Sequence, residues 1–203
     1  MSSPKIVIVY YSATGNLHAL AAAIASGAES AGAEVRIRRV EELAPQEAID
    51  SNSAWKEHLA WAEGHVELAS LDDLDWADGI ALGSPTRFGL PAAQLKQFID
   101  QTGGLWYRNA FVDKVVTAFT SASTTHGGLE STTLAMLNTA YHWGALVMPL
   151  GYTGDEVKAT GNPYGASFVS RKGAAPDDAA LASAALQGRR LAKAAGAMRA
   201  VRD

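Results

Sequence analysis

Lys5-Ile6-Val7-Ile8-Val9-Tyr10-Tyr11-Ser12-Ala13-Thr14-Gly15-Asn16-Leu17 is the stretch on which the reading of the fold turns. The apolar run reads as a strand, Ser12 to Asn16 as a polar loop, and Leu17 onward as a helix. Strand, polar loop and helix in that order make an anion site. Hydroxyls at Ser12 and Thr14, a glycine that lets the backbone fold closely, and free amides at the helix start all serve one phosphate. The loop contains no basic residue, which argues for a monophosphate. It lacks the Gly-x-x-x-x-Gly-Lys-Ser/Thr spacing of a triphosphate cradle and the Gly-x-Gly-x-x-Gly dinucleotide fingerprint. A turn with a helix N-cap uses the same residue types, so the other loops must decide.

Downstream, Leu17, Leu20, Ala21, Ile24 and Ala28 recur at helical spacing, and Gly32 ends that helix. Residues 34–40 alternate, with Val35 and Ile37 opposite Arg36 and Arg38, as at a sheet edge. Residues 44–70 read as an irregular, partly helical insertion with Trp55, His58, Trp61 and His65. The seven-residue histidine spacing, without partnering carboxylates, predicts surface or interface histidines and no metal. A short helix over 71–77 precedes a buried strand at 78–83, which is expected to end in the loop Ser84-Pro85-Thr86-Arg87-Phe88-Gly89 before a helix over 91–101. The strand at 114–120 is followed by Ser121-Ala122-Ser123-Thr124-Thr125-His126-Gly127-Gly128 and a helix to His142. A strand at 145–150, a long loop at 151–165 and an Ala-rich helix over 177–198 complete the chain.

Alternating strands and helices imply a parallel sheet covered on both faces, with right-handed crossovers. The expectation is a single α/β domain over residues 1–203, doubly wound and flavodoxin-like, with five parallel strands in the order 2-1-3-4-5. The polar loops after strands one, three and four then meet at the strand C-termini. The first offers a phosphate site; the second offers Arg87 and Phe88 as a charged and an aromatic wall; the third offers hydroxyls, amides and His126. A flat, polar-edged ring with a phosphate tail fits that set, and FMN is such a molecule.

With 203 residues, 48% of them apolar, the chain can bury a sizeable core. A net charge of -4 gives no general attraction to nucleic acid or anionic membrane. The one basic stretch, residues 171–203, carries seven Lys or Arg against three Asp, and without a DNA-reading motif it reads as a solvated helix face. No apolar run approaches a membrane span and no signal-peptide layout is present, so a cytoplasmic location is expected. The absence of cysteine excludes thiol chemistry, so any redox step must be carried by a cofactor.

Five segments, 12–16, 85–89, Asp100-Gln101-Thr102-Gly103-Gly104-Leu105-Trp106, His126-Gly127-Gly128-Leu129-Glu130-Ser131-Thr132 and Asn162-Pro163-Tyr164-Gly165-Ala166, resemble the WrbA family of flavodoxin-like NAD(P)H:quinone oxidoreductases over nearly the whole chain. The resemblance implies FMN held by Ser12, Ala13, Thr14, Gly15, Asn16 and Leu17, by Pro85, Thr86, Arg87, Phe88 and Gly89, and by Ser121, Ala122, Ser123, Thr124, Thr125, His126 and Gly127. It further implies two-electron reduction of quinones by NADH or NADPH, with hydride passing through flavin N5. A homotetramer whose subunits complete one another's sites is also implied. Thr14 is expected near the nicotinamide nucleotide and Trp106 as a wall of the substrate pocket. At the position where family members can carry a histidine beside the cofactor, this chain has Trp143 preceded by His142, and either is a candidate to face the flavin. His142 and His126 are the candidate proton donors. The competing reading is a flavodoxin-type carrier of single electrons, against which the insertion and the aromatic loops argue.

Overall fold

The computed structural model describes residues 3–202. Its centre is β1 (Lys5–Tyr10), whose side chains are buried on both faces apart from the first residue. Successive side chains of a strand point to opposite faces, so Ile6, Ile8 and Tyr10 enter one apolar cluster and Val7, Val9 and Tyr11 another. The first cluster is closed by α1 (Asn16–Ser30) and α9 (Asp178–Arg202). The second is closed by α4 (Leu71–Trp76), α5 (Ala93–Asp100) and α7 (Leu129–Trp143).

The other strands are β2 (Glu34–Arg39), β3 (Gly79–Arg87), the two-residue β4 (Leu90–Pro91), β5 (Val115–Ala122), β6 (Leu146–Val147) and β7 (Ser167–Val169). The main path runs β2-β1-β3-β5-β6, all parallel, with β4 antiparallel to β3 and β7 parallel to β5. Counted over the five main strands, this is the expected order 2-1-3-4-5. As expected, β2 is an edge strand. Its arginines are neutralised from the side, Arg36 and Arg38 both reaching Asp73 of α4.

Four local features differ from the sequence reading. Residues 84–87 are strand, not loop, because β3 continues past Gly83, where β1 stops opposite it, pairing Ser84 and Pro85 with β5 and then Thr86 and Arg87 with β4. Pro85 is tolerated there because β3 has a parallel partner on one side only, so its missing N–H breaks no ladder. Ser121 and Ala122 likewise belong to β5. The last expected strand shrinks to two residues, and the upper half of β5 pairs instead with β7, so that Thr120 faces Ser167 and Ala122 faces Val169. The loop expected at 151–165 contains α8 (Asp155–Thr160).

Residues 44–70 contain α2 (Gln46–Asp50) and α3 (Ser53–His65). The short α6 (Gly103–Tyr107) follows α5. At the N-terminal end of the sheet, Lys114 is buried and donates to the carbonyls of Leu74 and Asp75, and burial pulls its amine down to about 8. Asp78 at the same end accepts from the Lys5 amide and pairs with Arg202 of α9, which draws part of the basic C-terminal stretch into the fold. Among the described residues no helix is long and apolar enough to cross a membrane.

Candidate functional site

A cavity of about 300 Å³ opens where β1, β3 and β5 end, the position at which parallel sheets of this order bind ligands. The loop after β1 supplies Ser12, Ala13, Thr14, Asn16 and Leu17 to its lining. Gly15 precedes α1 with φ of 89°, a left-handed conformation open to glycine at little cost. A side chain here would also press on His58 of α3, since a Cβ would lie 3.2 Å from its Nδ1. The Ser12 hydroxyl accepts from the amides of Gly15 (3.0 Å) and Leu17 (3.3 Å) and so draws the loop into a tight nest. Among the described residues, the Thr14 and Asn16 amides make no hydrogen bond. Unsatisfied amides at a helix start are the donors an anion takes.

The second and third expected loops are tied to one another. The Thr132 hydroxyl of α7 donates to the Thr86 hydroxyl at 2.8 Å, and the Thr120 hydroxyl donates to the Ser84 carbonyl at 2.7 Å. Gly128, at φ of 92°, lets α7 start directly against Gly89, where a Cβ would come within 2.8 Å of the Gly89 Cα. This clamp holds Pro85, Thr86 and Arg87 on one wall of the cavity and Ser121, Ala122 and Ser123 on another. Among the described residues Arg87 is the one charged side chain in the lining. Phe88 is fully exposed at the β3–β4 turn with φ of 54°, an uncommon conformation for a bulky residue. Thr124, His126, Gly127 and Gly89 lie outside the lining, and Thr125 belongs to a separate cleft between α7 and α9.

Three residues expected near the cofactor are at the other end of α7. Trp143 is buried in the second cluster, its ring stacked on Phe111 with centroids 4.0 Å apart, so within this chain it is core. His142 is exposed, and its carbonyl accepts from the Trp106 indole at 2.9 Å. The helix rises 1.5 Å per residue, which sets this pair about 20 Å from the cavity end of α7.

The structure adds four lining residues that the sequence reading missed: Asn52, Trp55, Ser170 and Gly173. Ser170 comes in because β7 adds to β5, and its hydroxyl accepts from the Asn16 side chain at 2.9 Å. Trp55 and Asn52 come from the 44–70 segment. The histidines of that segment form a ring stack instead of a metal site: Trp61 packs on His18, His58 and His65. Burial lowers the His18 pKa, and it lowers that of His58 with help from His18 and Arg39. Among the described residues no group of three or more potential ligands could hold a metal.

A doubly wound parallel sheet with an anion nest after its first strand and two clamped walls beyond it defines a flavodoxin-like nucleotide-binding protein. Residues 4–157 match the model of the family described as NADPH-dependent FMN reductase, and the chain belongs to that family. It is 46% identical over 173 residues to a protein of Deinococcus radiodurans named NAD(P)H dehydrogenase (quinone), covering 84% of this chain and 86% of that one. A protein of the same name from Methylocella silvestris is 40% identical over 203 residues, covering 96% and 98%. Among solved structures, a flavodoxin described as WrbA-like from Agrobacterium tumefaciens superposes with a TM-score of 0.70 at 26% identity, covering 96% of this chain and 99% of that one. The likeness to the WrbA family stands on these matches.

Proposed function

We propose that this protein is an FMN-dependent NAD(P)H:quinone oxidoreductase that reduces quinones by two electrons. The observation that carries the reading is the meeting of the Ser12–Leu17 nest, the Thr86–Arg87 wall and the Ser121–Ser123 wall in one cavity. The names borne by relatives at 40 and 46% identity favour the enzyme over an electron carrier.

In this reading the Thr14 and Asn16 amides and the loop hydroxyls hold the FMN phosphate without a cation, as the neutral nest suits a monophosphate. Bound FMN supplies the chemistry, taking two electrons from reduced nicotinamide and giving them to a quinone. Arg87 sets a positive charge at the cavity wall, which favours a ligand that gains negative charge. The proton that completes the hydroquinone comes from water or from an imidazole, either His126 of the third loop or His142 of a neighbouring copy. NADH and NADPH both fit the reading, and their supply sets the reaction in the cytoplasm.

The chain works as one domain in which residues 44–70 are an insertion serving the cavity, and it assembles as a homotetramer. What supports assembly is the set of exposed large apolar side chains Leu90, Trp106, Tyr107, Leu134 and Tyr141, together with the exposed Phe88. Assembly would let Trp106 and His142 of one copy reach the cavity of another.

The test is the visible spectrum of the FMN-loaded protein during anaerobic addition of NADH and then benzoquinone. Bleaching by NADH and recovery with quinone are expected. Bound flavin that NADH leaves untouched would return the protein to the electron carriers, and failure to bind FMN would overturn the cofactor.

A further inference from the structure

Trp55 is out of place as a structural residue. Its ring is half-buried, and among the described residues it packs in neither apolar cluster, whereas Trp143 and Trp76 do. It lines the cavity, as do Ala13 and Thr14 of the nest. Its indole N–H donates to Glu42 at 2.9 Å, and that carboxylate is a hub. Glu42 also accepts from the Tyr11 hydroxyl (2.8 Å), the Gln94 side chain (2.7 Å) and the amides of Leu43 and Ala44 (both 2.9 Å). The five donors come from the residue after β1, from α3, from α5 and from the turn after β2. All are neutral, and among the described residues no cation pairs with Glu42. Burial pushes the carboxyl up, but the bonds from Ala44, Gln94, Tyr11 and Trp55 outweigh it and hold the group ionised.

A half-buried anion satisfied only by neutral donors needs each of them, because a charge is costly to bury unless fully hydrogen-bonded. The arrangement therefore fixes the donors in space. Tyr11 is the residue before the phosphate nest, and Trp55 lines the cavity onto which the nest opens. Asn52, whose side chain accepts from the Trp55 amide and which also lines the cavity, sets the start of α3 at the same place.

We propose that Trp55 is a contact residue for the bound flavin nucleotide and that Glu42 is the positioning residue that holds its indole at the cavity. This deepens the FMN reading and rests on it. The role is retention: with Phe88 of the second loop exposed and outside the lining, an aromatic wall built from the 44–70 segment adds its own contact to a phosphate nest without cations.

The experiment is titration of the apoprotein with FMN, followed by flavin fluorescence, together with 19F NMR of protein carrying 5-fluorotryptophan. Trp55→Ala is expected to raise the FMN Kd about fivefold to tenfold, Trp55→Phe about twofold, and Glu42→Gln about threefold. The resonance missing from Trp55→Phe should be the one that FMN shifts most, while that of Trp61 stays still. Glu42→Gln should shift the Trp55 resonance before FMN is added, and should add no further loss of affinity in the Trp55→Phe background. A Trp55 resonance indifferent to FMN, or a Kd for both Trp55 variants within experimental error of the wild type, overturns the contact. An equal loss from Glu42→Gln with and without the Trp55 indole overturns positioning through it. Wild-type protein that binds no FMN at all fails the underlying reading instead, so the two failures are distinguishable.

Discussion

The two ends of α7 do different work. Its first turn, at Gly128, closes against Gly89 and joins two walls of the cavity; its last turn buries Trp143 against Phe111 and leaves His142 facing outward with Trp106. The family-like run His126–Thr132 marks the first end and the departure at His142-Trp143 the last, and only the first end meets this chain's own cavity. A motif in the sequence thus names residues, and the fold decides which of them reach the cavity of their own chain.

If that division is real, changes at the far end should alter stability and spare FMN affinity, and changes at the near end should do the reverse. Phe111→Ala makes the largest change. Phe111 is fully buried against Trp143, and loss of a buried phenylalanine costs about 3–5 kcal/mol, to be read from urea unfolding with the FMN Kd unchanged. Lys114 gives the next effect. Its folded-state pKa of about 8 lies below the ordinary 10.5, so between those values the unfolded chain holds a proton that the folded one lacks. Stability contributed by this group therefore rises with pH across that window, by up to about 3 kcal/mol, and Lys114→Met should abolish the rise.

At the near end, Gly128→Ala forces a Cβ toward the Gly89 backbone at a positive φ, where the conformation alone costs about 1–2 kcal/mol. FMN affinity should fall at least tenfold on titration while most of the stability is kept. The smallest and most discriminating effect comes from mixing. Trp106→Ala subunits should bind FMN normally but turn over slowly, and co-assembly with Gly128→Ala subunits should recover activity above the sum of the two. Strict additivity would end the idea of shared sites.

Much of this was legible in the chain. The unbroken apolar runs at 6–11 and 79–83 gave away a sheet covered on both faces, and the Arg36 and Arg38 alternation marked the edge. The nest after β1 was readable because Ser, Thr and Gly act there through local backbone geometry. What escaped was non-local. Ser167-Phe168-Val169 is too short to carry a period, and it is a strand only because β6 leaves half of β5 unpaired. Residues 84–87 read as loop because Pro85 argues against an interior strand, and the free side of β3 removes that objection. Trp55 and Glu42 are 13 residues apart in no regular pattern, and only the packing of α3 over the nest brings them together.

The divided edge of the sheet has a further consequence. β6 covers the lower part of β5 and β7 the upper, and the gap between them is filled by Gln187 of α9, which takes the Ala166 amide and donates to Thr117 and Ala118. The stretch between β6 and β7 is therefore a side excursion whose two ends are anchored independently. Its length can change without sliding either strand in register. Leu150, Val157 and Ala166 pin this excursion into the first cluster, so inserted segments fit at its exposed positions, Tyr152, Thr153, Lys158 and Ala159, where the cavity keeps the register it takes from β5.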